Sequence, residues 1–168
     1  MLPPRDSAAG CPLAKVKVER TKPMKLAYVE HVGPYGSIPF DRYIEQLYGW
    51  AKERKVRPGF HPLGIFHDSP KETPPERCRT DVAIPIYGDA APSGNVKVKD
   101  LPAMDVATLS FKGPASEYQA AYDALGAWIA EHGYEMAGPC LEVYSKKPEP
   151  VGGQTILYAK IEAPVRKR

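Results

Sequence analysis

An internal repeat constrains the fold of this 168-residue chain more than any other feature. Residues 24–34 align with residues 104–114 at a constant spacing of 80 positions, and both stretches end in Gly-Pro. Leu47 and Trp50 then align with Leu125 and Trp128 at a spacing of 78, which needs a gap of only two residues. The same motifs in the same order indicate a tandem duplication.

Each copy of the repeat predicts the same elements. Residues 24–32 alternate in polarity before Gly-Pro, which is typical of a strand that ends in a turn. A helix follows, and two further strands are predicted at residues 62–67 and 80–86, with counterparts at 139–145 and 154–161. A Pro-rich loop joins the last two strands of each copy, and a short Val-Lys-Val strand heads it.

The two helices are predicted from capping residues and apolar spacing. Ser37 is a candidate cap for the first helix, and Ser116 with Gln119 forms a capping box for the second. Gly133 stands where a left-handed residue would end the second helix. Apolar or aromatic side chains recur at helical spacing in both: Phe40, Ile44, Leu47 and Ala51 in the first, and Tyr118, Tyr122, Leu125 and Ile129 in the second.

These elements predict an α+β fold, in which tandem duplicated strand–helix–strand–strand units are related by pseudo-twofold symmetry. One unit leaves a face of its small sheet uncovered, so two units are expected to join their sheets into one antiparallel sheet. A central cleft at the junction would suit a small ligand. Repeat one spans residues 16–88 and repeat two spans residues 96–163, within a single domain at 16–165.

The regions outside the repeat and the overall charge point away from nucleic acid. Residues 1–15 are polar and rich in Pro, Gly and Ala, which predicts a flexible leader too short for a helix-turn-helix. Residues 164–168 are predicted to be a solvated basic tail. A net charge of +3, with basic residues spread along the chain, gives no basic patch for direct nucleic-acid binding.

Cysteine usage and hydropathy predict a cytoplasmic protein without metal, cofactor or membrane span. The three cysteines form no C-x-x-C motif, and no His stands at metal-ligand spacing from them. A reducing compartment is therefore expected. No stretch approaches the roughly 18 apolar residues of a membrane span.

Strand alternation selects the residues predicted to face the cleft. If the apolar residues Leu141 and Val143 lie under a helix, Glu142 and Tyr144 point to the opposite face. The same reasoning places Leu63 and Ile65 under the other helix. It places Gly64 and Phe66 in the cleft. Gly64 would leave space at the position where its counterpart Glu142 would provide the functional carboxyl group.

A carboxyl group among aromatic rings has two physical uses. An ionised Glu142 would pair with a cationic ligand, and each aromatic face would add about 0.5–2 kcal/mol of cation–π attraction. A Glu142 kept protonated by burial would act as a general acid. The alternative is a solvated Glu on an exposed sheet face.

Four further aromatic residues are candidates for the ligand site. Tyr28 either shares the cleft or meets solvent, and Tyr87 would lie at the rim at the end of a strand. Trp50 and Trp128 occupy matching helix positions, where they either pack in the core or form a wall of the pocket.

Several motifs together resemble the GyrI-like domain, which also serves as the effector-binding domain of AraC-type and MerR-type multidrug regulators. The resemblance covers residues 16–165. The motifs are Tyr28-Val-Glu-His-Val-Gly-Pro-Tyr35, Asp68-Ser-Pro70, Thr73-Pro-Pro-Glu76, the strand at residues 79–86 and Glu142-Val-Tyr144. The resemblance implies the same tandem fold, in a standalone form.

The resemblance also implies three classes of function. The first is binding of hydrophobic, cationic or electrophilic small molecules, with the family's buried Glu carried over to Glu142. The second is hydrolysis of cyclopropane-bearing DNA-alkylating natural products, with Glu142 and Tyr144 as catalytic residues. The third is a protein partnership, either inhibition of DNA gyrase or association with a separate regulator.

Overall fold

The computed structural model describes residues 16–168, which form ten strands and two α-helices. The predicted leader, residues 1–15, lies outside the described residues. The first half consists of β1 (Lys17–Arg20), β2 (Met24–Val32), α1 (Phe40–Glu53), β3 (Arg57–Pro58), β4 (Leu63–Phe66) and β5 (Arg79–Tyr87). The second half consists of β6 (Lys97–Leu101), β7 (Asp105–Gly113), α2 (Tyr118–Glu131), β8 (Tyr134–Met136), β9 (Cys140–Val151) and β10 (Gln154–Lys167).

The strands form one antiparallel sheet whose order shows the predicted pseudo-twofold symmetry. The order is β1-β7-β10-β9-β4-β5-β2-β6, with β3 beside β5 and β8 beside β10. If each strand is replaced by its repeat counterpart, the result is the same order read from the opposite edge of the sheet. The axis passes between β4 and β9, where Gly64 pairs directly with Glu142. Two positions that are equivalent in the repeat are therefore neighbours in space.

The short strand at the head of each copy pairs with the other copy. β1 pairs with β7 of the second half, and β6 pairs with β2 of the first half. The Val-Lys-Val segments are thus strands, as predicted, but each one completes the sheet of the opposite half. This exchange joins the two halves at both edges of the sheet as well as along the β4–β9 seam.

Both helices cover the same face of the sheet. α1 packs Leu47 and Ala51 against a core that includes Val29 and Ile84, and α2 packs Leu125 and Ile129 against a core that includes Leu109. A separate apolar cluster lies on the opposite face without any helix residue. It contains Leu26, Leu63, Ile65, Ala83 and Leu141, with Val143 packed beside it.

This third apolar cluster, on the face that carries no helix, corrects the predicted orientation of β4 and β9. Leu63, Ile65, Leu141 and Val143 were expected under the helices, but they face away from them. Alternation sorts a strand into two sets of side chains and cannot say which set meets a helix when both faces are buried. The cleft residues Gly64, Phe66, Glu142 and Tyr144 therefore lie on the helix side, between α1 and α2.

The helix starts also differ from the prediction. Ser37 and Ser116 lie in short 3-10 helices, Tyr35–Ser37 and Ala115–Glu117, and neither caps an α-helix with its side chain. In both copies the Pro carbonyl of Gly-Pro accepts a backbone hydrogen bond three residues later, so the turn runs directly into the 3-10 helix. Gly133 has a φ of +79°, which confirms its predicted left-handed conformation after α2.

The second copy lacks the predicted Pro-rich loop. β9 continues to Val151, and Gly152 and Gly153, with φ values of +56° and +81°, turn the chain into β10. Two consecutive positive φ values suit a two-residue hairpin turn. β10 then runs on to Lys167 and pairs with β8, so most of the predicted tail at 164–168 is strand.

No helix in residues 16–168 is long and apolar enough to cross a membrane.

Candidate functional site

Glu142 lies at the centre of the sheet and is buried, with 7% of its surface exposed. Its side chain faces α2, where the Tyr122 hydroxyl donates a hydrogen bond to Oε2 at 2.5 Å. The Tyr144 hydroxyl, two residues along β9, donates to Oε1 at 3.0 Å. Both carboxyl oxygens are therefore bonded to phenol groups.

The surrounding tyrosines are held in their neutral, donating form. Burial raises the pKa of Tyr122 and of Tyr144, and the neighbouring Glu142 carboxylate raises both further. The same two causes raise the pKa of Tyr118, whose ring stacks on Phe111 at 4.3 Å between centroids. Because a neutral phenol can donate a proton in a hydrogen bond, these residues form a donor cage around the carboxyl group.

The pKa of Glu142 is raised, and burial is the main cause. Hydrogen bonds from Tyr122, Tyr144 and Tyr118 oppose this effect and stabilise the charged form. Within residues 16–168 no Lys, Arg or His contributes to the pKa of Glu142. The site therefore contains a buried acid without a cationic partner, a costly arrangement that a cationic ligand would relieve.

The first half supplies a wall of aromatic rings. A Cβ atom added to Gly64 would lie 3.1 Å from the Tyr144 hydroxyl and 3.1 Å from the Phe66 ring. The predicted space at Gly64 is thus occupied by the phenol that reaches Glu142. Phe66 contacts Tyr35 edge-on, with 5.1 Å between ring centroids, and Phe40 contacts Tyr144 edge-on, with 5.4 Å between ring centroids.

A shallow, open surface depression adjoins this wall at the start of α1. Residues 38–42 line it, and Phe40 is the member of that lining that also contacts Tyr144. Phe40 therefore links this surface depression to Tyr144, the residue that bonds the buried carboxyl group.

The structure brings together four of the residues that the sequence placed in the cleft: Gly64, Phe66, Glu142 and Tyr144. Tyr28 lies on the opposite face of the sheet, where Lys99 Nζ stands 4.3 Å from its ring centroid. Tyr28 lies on that face because it alternates with Ala27 and Val29, which face α1.

The other three aromatic candidates also lie apart from Glu142. Trp50 packs in the first-half core and donates Nε1 to Ser93, near the outer edge of the sheet. Trp128 stacks on His132 at 3.9 Å between ring centroids. Tyr87 is exposed and carries Arg57 over its ring. Both tryptophans pack with the core cluster of their own half, and Tyr87 lies at the end of β5.

Sequence reasoning missed Tyr118, Tyr122 and Phe40 as site residues. All three were identified only as parts of the apolar stripes of the helices. The available signal was the hydroxyl group of a buried tyrosine, which needs a hydrogen-bond partner. Two such hydroxyls on the inner face of α2 indicate a polar group on the strand beneath.

The described part of the chain contains no group of three or more His, Cys, Asp or Glu side chains arranged to hold a metal ion.

Comparison with protein families gives a match over nearly the whole chain. The model of the GyrI-like small molecule binding domain matches residues 14–166. A DNA gyrase inhibitor 2 from Dickeya dadantii is 29% identical over 126 residues, which cover 73% of this chain and 79% of that protein. A putative transcriptional regulator of Bacillus subtilis, YosT, is 33% identical over 75 residues, which cover 45% of this chain and half of YosT.

Solved structures share the fold at low sequence identity. The EcmrR C-terminal domain matches with a TM-score of 0.76 and 17% identity, over 91% of this chain and 98% of that one. A hydrolase from Listeria innocua matches with a TM-score of 0.66 and 13% identity, over 90% and 91%. SAV2435 bound to tetraphenylphosphonium matches with a TM-score of 0.55 and 12% identity, over 90% and 93%. At these identities the likeness concerns the fold alone.

Proposed function

Because the chain belongs to the GyrI-like small molecule binding domain family, we propose that it binds hydrophobic organic cations between its two halves. Glu142 is the charge partner in this proposal. The observation that carries it is a buried carboxyl group bonded by two phenols, with no Lys, Arg or His of the described residues acting on it.

The site chemistry favours a cation over a neutral ligand. A neutral ligand would leave the buried acid without a counter-charge, whereas a cation would stabilise the carboxylate at short range. The aromatic walls add attraction for a cation through their ring faces. Tyr122 and Tyr144 stabilise the carboxylate by donating to both of its oxygens.

The names of structural neighbours agree with this ligand class without extending to this chain. SAV2435 is the neighbour described as bound to tetraphenylphosphonium, a bulky aromatic cation. EcmrR is described in a complex with DNA, and this chain covers 57% of that protein. The match spans only part of that regulator, so an association of this chain with a separate regulator is a proposal.

The second candidate function is hydrolysis of an electrophilic ligand, such as a cyclopropane-bearing DNA-alkylating natural product. The raised pKa of Glu142 favours it, because a protonated carboxyl group can donate a proton to a leaving group. Tyr144, bonded to the same carboxyl group, would position that proton. A structural neighbour described as a hydrolase is in keeping with this alternative.

A third candidate, inhibition of DNA gyrase, rests on the name of the Dickeya dadantii relative. It predicts inhibition of supercoiling by the purified chain. Substitution of Glu142 would leave that inhibition unchanged if the protein partner binds outside the cleft.

The leading proposal is tested by equilibrium dialysis with mass spectrometry of the ligand. Tetraphenylphosphonium is compared with its neutral analogue triphenylphosphine oxide, for the wild type and for Glu142→Gln. We expect the wild type to prefer the cation by about tenfold or more, equivalent to about 1.4 kcal/mol, and Glu142→Gln to lose that preference. A preference retained in Glu142→Gln would refute Glu142 as the charge partner.

Glu162→Gln is the matched control. Glu162 is a half-buried acid on β10 whose pKa is also raised by burial, and it pairs directly with Leu141, which faces away from the helices. The cation preference should survive in this variant.

The same samples test the second function: with a cyclopropane-bearing alkylating agent in place of the cation, a product mass that increases with time and disappears in Glu142→Gln would show turnover.

A further inference from the structure

A second cavity lies on the face of the sheet that carries no helix. Its volume is about 270 Å³. Its polar lining comes from Glu30 and His31 on β2, Arg79, Thr80 and Asp81 on β5, His67 just after β4, and Lys99 on β6. Glu30 pairs directly with Asp81, and Asp81 alternates with Val82, which faces α1. This cavity and the Glu142 site therefore occupy opposite faces of the same sheet.

Asp81 organises the donors of this cavity. Its side chain is 5% exposed, and Oδ2 accepts hydrogen bonds from His67 Nε2 at 2.7 Å and from Lys99 Nζ at 2.5 Å. When His67 donates from Nε2 to this carboxylate, Nδ1 is an acceptor in the neutral ring and a second donor in the protonated ring. The His67 ring and the Lys99 ammonium group are thus fixed side by side at the cavity.

The second half of the chain shows which part of this arrangement belongs to the scaffold. At the positions equivalent to Asp81 and Lys99 stand Lys160 and Glu19, which form a salt bridge at 3.2 Å with the charges reversed. In both halves the pair therefore links an exchanged head strand to the opposite half. His67 has no such counterpart, because Ser145 occupies its equivalent position. The imidazole is an addition to the scaffold that the repeat does not require.

The hydrogen-bonding groups left over in the cavity are mainly donors. Glu30 is engaged by Lys97 at 2.6 Å, and Asp81 is engaged by two donors. Arg79 uses Nε and Nη2 on Asp68, both at 3.1 Å, which leaves Nη1. Lys99 donates one of its three N–H groups to Asp81 and keeps the others. A ligand in this cavity would meet positive donors whose neighbouring carboxylates are already paired.

We propose that this cavity is a second binding site, which takes a small oxyanion, a carboxylate or a phosphate, on Lys99 and on the protonated ring of His67. Charge-assisted hydrogen bonds from an ammonium group and an imidazolium suit such a group. A volume of about 270 Å³ is below the usual range for drug-sized ligands, so the site fits a small anion rather than the hydrophobic cation. The proposal is independent of the function assigned to the Glu142 cleft.

The test is NMR titration of the full chain with sulfate, at constant ionic strength, while the His67 ring signals and the backbone amide signals of β4 and β5 are monitored, so that the amide signals report binding in His67→Gln as well. Lys99→Met and His67→Gln remove one donor each, and Gln can still donate to Asp81 in place of Nε2. Lys160→Met is the matched control, since it breaks the equivalent salt bridge in the second half. We expect saturable binding that weakens about tenfold in Lys99→Met and in His67→Gln and is unchanged in Lys160→Met.

One further arm sharpens the result. Acetate and phosphate, titrated in parallel, identify the preferred oxyanion. The proposal is overturned if no anion shifts the His67 signals saturably, or if Lys160→Met weakens binding as much as Lys99→Met does.

Discussion

Glu142 combines two opposing electrostatic effects within a few ångströms. Burial among aromatic rings favours its neutral form, and the phenols of Tyr122 and Tyr144 favour its charged form. Burial is the larger effect, so the folded protein holds the proton more tightly than the unfolded chain does. The charge of this residue is therefore sensitive to any cation that enters the cleft.

The raised pKa of Glu142 predicts how stability varies with pH. Above the ordinary value of 4.5, the unfolded chain loses this proton before the folded protein does. The free energy of unfolding therefore falls as pH rises through the window between the two pKa values, by at most about 1.4 kcal/mol per pH unit. Glu142→Gln removes this loss. Urea unfolding should show the variant gaining stability over the wild type as pH rises from about 4.5, and parallel curves would contradict the assignment.

Gly64 predicts a steric effect at the same site. A methyl group there would press on the Tyr144 hydroxyl and on the Phe66 ring, each 3.1 Å from the added carbon. We expect Gly64→Ala to lower the free energy of unfolding by about 1–3 kcal/mol and to weaken cation binding. A Cβ atom added to Gly126 on α2 would have no neighbour within 4 Å. Gly126→Ala should therefore raise the free energy of unfolding by about 0.5–1 kcal/mol. Thermal unfolding of the two variants checks the opposite signs.

At the scale of the elements, the repeat was the informative signal and alternation was the ambiguous one. The strands Met24–Val32 and Arg79–Tyr87 and both helices lie within one or two residues of their predicted positions. Alternation correctly paired Glu142 with Tyr144 and Gly64 with Phe66. It could not say which face carried the helices, because the third apolar cluster buries the other face of β4 and β9 as well.

The sequence predicted the site residues that lie on β4 and β9, and it did not predict those that reach the site from the helices. Tyr122 reaches Glu142 from a helix that precedes β9 in the chain, so the contact depends on how α2 lies over the sheet. Nothing in the local spacing of Tyr118 and Tyr122 separates core packing from a role as donors to a carboxyl group. Phe40 likewise joins the site through the approach of α1 to β9 across the pseudo-twofold axis.

At the scale of the whole molecule, the exchanged head strands explain why the two halves form one body. β1 and β6 each complete the opposite half, and a salt bridge accompanies each exchange, with the charges reversed between the halves. The sequence showed the repeated Val-Lys-Val segments without showing this pairing, since both pairings satisfy the same local pattern. The exchange leaves the β4–β9 seam at the centre of a continuous sheet.

The broken symmetry of that sheet locates both proposed sites. On the helix side the axis relates Gly64 to Glu142, and only one of them is an acid. On the other side His67 is added to a salt bridge that the second half carries with reversed charges. In each case the repeat supplies the framework, and a residue present in one copy alone supplies the chemistry.

The central claim, that Glu142 is the charge partner of a hydrophobic cation, is tested most directly by proton release on binding. Isothermal titration with tetraphenylphosphonium, repeated at a series of pH values above the ordinary Glu pKa of 4.5 in buffers of different ionisation enthalpy, counts the protons released at each pH. A cation beside the carboxyl group lowers its raised pKa, so the wild type should release a fraction of a proton on binding. Glu142→Gln should bind more weakly and release none. Equal affinity in the two proteins, or binding by the wild type without proton release, would contradict the claim.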